Sequence, residues 1–261
     1  MAKLKPIAHE DQLSLVDHLE ELRSRVFVSL GALVPALALC GWQNGRIIDI
    51  LNRPLPQGQE PITLSPTEPF LTTATLVVYA ALLIALPVLL YQIYAFVLPA
   101  FSKDERRVAL PLMLAAPVLF VAGVLFAYFV VLPPAITVLL GFNADEFNTQ
   151  LRAREYYSFA SLTLISLGIL FQVPIGVLAA TRIGVVTTTQ LRKGRRYAIL
   201  GIAVLAALLP TIDPVTMILE MLPLIVLYEV SILIARAFEH SPDEHSPDEA
   251  ADQPPAQFEG S

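Results

Sequence analysis

The chain has 261 residues, 55% hydrophobic and only 15% charged, with a formal net charge of −6. A mean hydropathy of +0.64 excludes an ordinary soluble domain, which would need charged faces that this chain lacks. The negative sum is a property of the C terminus: seven of the 23 acidic residues follow Arg236 and no lysine or arginine does, so the rest, 16 acidic against 17 basic, is near neutral.

In chain order, Leu15, Leu19, Leu22 and Val26 fall at a 4-3-4 spacing. This predicts an amphipathic helix, N-capped at Ser14 with Asp17 three residues on, that runs directly into the first apolar block. On that helix Glu21 and Arg25 form an i,i+4 pair worth about a few tenths of a kcal/mol. Six apolar blocks follow, at residues 26–42, 71–98, 108–132, 159–180, 197–210 and 215–235. A bilayer core of about 30 Å takes roughly 20 helical residues. The fifth block reaches only about 21 Å at about 1.5 Å per residue, so it calls for a thinned bilayer or for protein at both ends. Pro35, Pro87, Pro117, Pro174 and Pro223 interrupt the blocks and bend or break their helices. The expectation is an all-α integral membrane protein of six bent, unequal transmembrane helices forming a concave body. Loops 43–70 and 133–157 should fold as short helices or caps, and Ser102 with Glu105 reads as a capping box opening the third span.

Orientation follows from lysine and arginine placement. Arg46, Arg53, Arg152 and Arg154 fall on one side, and the remaining basic residues cluster on the other, at Lys3, Lys5, Arg23, Arg25, Lys103, Arg106, Arg107, Arg182, Arg192, Lys193, Arg195, Arg196 and Arg236. Both termini are therefore expected in the cytoplasm. Residues 1–238 form the membrane domain; residues 239–261, acidic, proline-containing and partly a tandem copy (His240–Glu244, then His245–Glu249), are expected to be a disordered tail.

Enzymatic chemistry fails on inventory. The histidines are His9, His18, His240 and His245, all outside the blocks, so neither an intramembrane His-x-x-x-His zinc site nor a Ser–His pair can be built. There is no Gly-x-x-x-x-Gly-Lys loop for a nucleotide, and the blocks hold no pair of aspartates. No catalysis, cofactor, metal or nucleic acid is expected. Charged and polar residues inside a membrane are costly and mark candidate sites: here Gln172 in the fourth block, and Glu220 and Glu229 in the sixth. At about 100° per residue the two glutamates face opposite ways, which argues against one carboxylate dyad. Carboxylates beside basic clusters at span ends, Glu21 and Glu105, are not needed to set orientation and are candidates for binding a cation.

The strings His18-Leu19-Glu20-Glu21-Leu22-Arg23, Tyr91-Gln92-Ile93-Tyr94-Ala95-Phe96-Val97-Leu98-Pro99-Ala100, Glu105-Arg106-Arg107, Phe126-Ala127-Tyr128-Phe129, Phe171-Gln172-Val173-Pro174, Leu191-Arg192-Lys193-Gly194-Arg195-Arg196-Tyr197 and Asp213-Pro214, with Pro54 in the first outer loop, together resemble the TatC family, the core membrane subunit of twin-arginine protein translocation. The resemblance spans about residues 10–238. It implies a receptor for signal peptides with paired arginines on folded cargo, working with single-span TatA-like and TatB-like partners, self-associating, and driven by the proton-motive force. It assigns Glu21 and Glu105 to the arginines, with Arg23, Phe96, Lys103, Asp104 and Arg106 around them, and Pro54 to the structure of the outer loop. Gln172 stands where many relatives carry Glu. Pro210 and Met217 stand where relatives often place partner-contacting polar residues, leaving Thr211, Thr216, Glu220 and Glu229 as candidate contacts. With no transit-peptide pattern ahead of the first block, the expected location is a bacterial inner membrane. The alternative is a secondary transporter of a small solute, which would require an inverted repeat that the block lengths do not display.

Overall fold

The structure, a computed structural model, describes residues 9–97, 103–142, 144, 146, 149–182, 184–209 and 213–238, with backbone alone at 9–17, 97, 103–110, 112–113, 182 and 237–238. It is all-helical apart from one isolated bridge between Ile62 and Arg152. The helices are α1 His9–Trp42, α2 Asn44–Asn52, α3 Glu68–Val97, α4 Lys103–Phe126, a π-helical turn Ala127–Val131, α5 Leu132–Gly141, α6 Ala153–Leu170, α7 Val173–Arg182, α8 Thr188–Lys193, α9 Arg195–Leu208 and α10 Pro214–Phe238.

Among the described residues, five stretches are long and apolar enough to cross a membrane: His18–Trp42, Glu68–Phe96, Leu114–Gly141, Ala153–Thr181 and Pro214–Arg236. The short fifth block is α9, with 14 residues. Large apolar side chains point outward along these helices, with Val118 66% and Leu233 62% exposed. That is the inverse of a soluble fold and suits a lipid solvent, in which backbone groups must be paired within each helix. Trp42, 81% exposed at the end of α1, sits where an amphipathic ring marks a membrane interface.

Several boundaries differ from those read off the sequence. α1 is one helix of 34 residues, about 51 Å long. Ser14 lies inside it, past the first turn, and so does not cap it. The third span runs on through the π turn into α5, where the Leu132 N–H bonds to Ala127 O. Pro133 and Pro134 follow directly; they supply no donors, and they sit in the first turn of α5, where none is needed. The fourth span breaks at Phe171–Gln172, and Pro174 opens α7 in its first turn. Pro35, Pro87, Pro117 and Pro223 remain inside helices.

α1 packs antiparallel on α3 through small residues, Ala36 and Cys40 against Ala80, Ala81 and Ala85; such residues let helices approach closely where no hydrophobic effect drives association. α4 crosses α6 at two glycines. A Cβ on Gly123 would lie 2.8 Å from Leu167 O, and one on Gly168 2.5 Å from Phe120 Cε2. The main core joins α3, the π turn, α5 and α6 through Leu76, Val131, Leu132, Tyr156, Leu164 and Leu167. α10 packs on α7 and α9.

The end that carries α2 is tied by polar contacts. Tyr128 Oη donates to Ile50 O at 2.7 Å, Tyr156 Oη to Leu51 O, and Tyr157 Oη to Asn52 Oδ1 at 3.0 Å. Two of these fall on carbonyls at the C-terminal end of α2, where intrahelical donors run out; Ile50 O also takes the Arg53 N–H at 3.3 Å. Beside them the Arg152 guanidinium forks onto Glu68, Nε to Oε1 at 2.7 Å and Nη2 to Oε2 at 3.4 Å, and the Leu64 N–H donates to Glu68 Oε2 at 2.9 Å. Hydrogen bonds and then charge attraction from Glu68 hold the Arg152 pKa above its ordinary value. Pro54 lines a small cavity with Arg53, Tyr128, Phe129 and Pro133 at this same end.

Candidate functional site

At the opposite end, the N-terminal half of α1 meets the C-terminal end of α3. Arg25 forks onto Glu21, with Nε at 3.0 Å and Nη2 at 2.5 Å from the same oxygen, Oε1. Arg25 also donates from Nη1 to Gln92 Oε1 at 3.3 Å and from Nη2 to Ala95 O at 3.0 Å. The last turn of α3 presents unpaired carbonyls and the negative end of its dipole, so a guanidinium is well placed there. The second Glu21 oxygen, Oε2, lies 3.8 Å from His18 Nδ1, and the His18 ring stacks on Phe96 at 4.3 Å with 15° between planes. Glu21 is half-buried. One of its oxygens is thus taken up by Arg25, and the other faces the His18–Phe96 stack.

The sequence-derived set divides in this frame. Glu21 and Phe96 come together through His18. Arg23, two positions along α1 and hence about 200° round the helix, lies instead over Phe27 at 5.7 Å and does not join them. Lys103, Asp104, Glu105 and Arg106 form the first turn of α4. Their side chains lie outside the described residues, as does Ser102, the partner in the expected capping box. α3 ends at Val97 and α4 begins at Lys103, so that first turn sits at the same end of the molecule as Phe96. The i,i+4 pairing of Glu21 with Arg25 was legible in the sequence. Its extension to Gln92 and Ala95 O was not, because nothing in a one-dimensional pattern brings residue 25 to residue 92.

Gln172 is buried at the α6–α7 break. It accepts from Tyr94 Oη at 3.4 Å and donates to Ala116 O at 3.2 Å and Gly168 O at 3.5 Å. An uncharged amide with both functions ties α3, α4 and α6, and an ionised carboxylate in its place offers no donor.

On α10 the two glutamates have different fates. Glu220 is fully buried, whereas Glu229 takes an ion pair from Arg195 Nη2 at 2.7 Å, tying α9 to α10. The glutamates stand nine positions apart on one helix and face opposite ways, as their spacing implies, so no dyad forms between them. Asp213 caps α10 by accepting from the Thr216 N–H at 2.7 Å. Thr216 is buried, with no hydrogen-bond partner for its Oγ1 among the described residues. Thr211 and Pro210 lie outside the described residues.

The family model for the Sec-independent protein translocase protein TatC matches residues 17–223. The chain belongs to the TatC family. Among TatC relatives it is 36% identical over 215 residues to the TatC protein of Synechocystis, covering 82% of this chain and 84% of that one. To the TatC protein of Deinococcus radiodurans it is 35% identical over 244 residues, covering 90% of each. To the chloroplastic TATC protein of rice it is 38% identical over 221 residues, and it spans 62% of that protein's length. A crystal structure of the twin-arginine translocase receptor TatC in DDM superposes with a TM-score of 0.73 at 36% identity, over 84% of this chain and 99% of that one. These TatC proteins are components of a protein translocase, and the multi-span membrane fold is common to them and to this chain.

Proposed function

We propose that this protein is the signal-peptide receptor of a twin-arginine translocase, and that the α1–α3 end with the first turn of α4 receives the paired arginines. The observation that carries the reading is the guanidinium already seated there: Arg25 donates two N–H groups to Glu21 Oε1 and one to Ala95 O. This end is thus chemically suited to a planar, five-donor cation. One incoming arginine takes Glu21 through the open Oε2 edge beside His18 and Phe96, and the second takes Glu105. A lysine ammonium offers a point charge and no fork, which is the physical basis for preferring Arg-Arg over Lys-Lys. Arg23, Lys103, Asp104 and Arg106 shape the surface around the pair, and the apolar part of the signal then lies against the lipid-facing helices.

Both termini lie in the cytoplasm, a reading supported by the basic residues gathered toward the α1 start, the α4 start and the α8–α9 turn. α9 serves as a sixth, short span held to α10 by Arg195–Glu229, across a locally thinned bilayer. Thr216 and Glu220, in the first two turns of α10, together with Thr211, which precedes them in the sequence, are the contacts for TatA-like and TatB-like single-span partners. The protein works without catalysis of its own, in a self-associating complex driven by the proton-motive force, in the inner membrane of a bacterium; residues 239–261 form an acidic cytoplasmic tail. The test is site-specific photo-crosslinking of a signal peptide in membranes from a photoprobe at Phe96. Crosslinks should fall at least tenfold with a Lys-Lys signal and with Glu105→Ala. Crosslinks indifferent to both changes would remove Glu105 from the site and leave it a helix cap.

A further inference from the structure

The α8–α9 elbow carries a second charged site that the arginine-receiving end does not use. Its backbone is rigidly set. Thr187 and Gln190 form a reciprocal capping box, at 3.2 Å and 2.9 Å, and the Gly194 N–H closes α8 on Gln190 O at 2.8 Å. Tyr228 Oη pins Leu191 O to α10 at 3.1 Å. On this fixed turn a cavity of about 340 Å³ is lined by Thr189, Arg192, Lys193 and Arg195. Arg195 is neutralised by Glu229. Arg192 and Lys193 have no acidic partner among the described residues, and Thr189 adds a hydroxyl.

From the elbow, α9 presents Leu200, Val204 and Leu208, 62%, 53% and 76% exposed. Their i, i+4, i+8 spacing makes one outward stripe, and exposed Tyr197 stands at its foot, where aromatic rings mark the headgroup level. Charge for orientation alone needs no cavity and no adjoining apolar track. We propose that this elbow binds the phosphate of an anionic phospholipid, with Arg192, Lys193 and Thr189 on the headgroup and the acyl chains along Leu200, Val204 and Leu208. Basic pockets at the cytoplasmic ends of membrane helices are suited to such headgroups. A bound lipid at this point also fills the mismatch around α9, whose 14 residues reach only about 21 Å.

The test is native mass spectrometry of the full chain released from detergent containing equal phosphatidylglycerol and phosphatidylcholine. Wild type should retain phosphatidylglycerol in preference. Arg192→Gln with Lys193→Gln should reduce that retention at least tenfold, at about fivefold for each basic residue removed. A charge-matched Lys3→Gln, Lys5→Gln control should retain it as wild type does. Equal retention of the two lipids, or equal loss in the control, would overturn the site. Displacement of the lipid by low-millimolar inorganic phosphate would make it a free-phosphate site instead. Lipid retention appearing only after deletion of residues 239–261 would assign the cavity to the acidic tail and equally defeat the proposal.

Discussion

Arg25 donates four hydrogen bonds, two to Glu21 Oε1, one to Gln92 and one to Ala95 O. Its three acceptor atoms therefore lie on two helices, and a single side chain orients the carboxylate while fastening α1 to α3. Hydrogen bonds to charged groups contribute about 1.5–3 kcal/mol. Arg25→Gln should lower unfolding stability in detergent by about that amount, and Arg25→Lys should recover less than half of it because the fork is lost. Thermal unfolding of the two variants checks this; melting at the wild-type temperature in both would show that the contact does not support the α1–α3 end. At this scale the sequence was informative where chemistry is local. Glu21 with Arg25, and the polar Gln172 in an apolar block, stand out in one dimension. The Glu68–Arg152 pair and the three tyrosines on α2 did not, since their partners are 84, 78 and 105 positions apart and each reads alone as an ordinary interfacial residue.

Among the elements, the α4–α6 crossing depends on the absence of side chains at Gly123 and Gly168. The nearest atom to a Cβ on Gly123 is a backbone oxygen at 2.8 Å, which cannot swing aside. Gly123→Ala should therefore cost about 1–3 kcal/mol as an overpacked contact, read as a lower unfolding temperature in detergent. Gly176→Ala, at a position with nothing within 4 Å, should be close to neutral. Equal effects at the two positions would contradict the packing. Apolar run length revealed the existence of the spans, because a bilayer imposes a minimum length that composition alone satisfies or fails. It did not reveal their ends. α5 continues beyond Pro133 and Pro134 because prolines are tolerated in a first helical turn, and α1 begins before Ser14 because hydrogen-bonded helix extends into the polar segment without an apolar signal. The glycine contact was equally invisible, since Gly123 and Gly168 look no different in sequence from Gly176.

Over the whole molecule, charge and polar contacts separate two ends. One carries the Glu68–Arg152 pair and the tyrosine-bound cap of α2, a braced structure. The other carries Glu21 with Arg25, Phe96, the first turn of α4 and the α8–α9 elbow, where Arg192 and Lys193 have no acidic partner among the described residues. TatC membership and the helical architecture were legible because the family's strings are short, local and spread over most of the chain. The arrangement of Arg23 away from Glu21 was not, since residues two apart in a string lie on different faces of a helix. The measurement that bears most directly on the receptor reading is a binding cycle with signal peptide and receptor each varied. Affinity for Arg-Arg and Lys-Lys peptides is measured on wild type and on Glu21→Gln with Glu105→Gln. The account predicts that Arg-Arg to Lys-Lys costs at least tenfold on wild type and twofold or less on the double variant, because the fork then has no carboxylate to meet. An equal loss on both proteins would show that the arginines are read elsewhere.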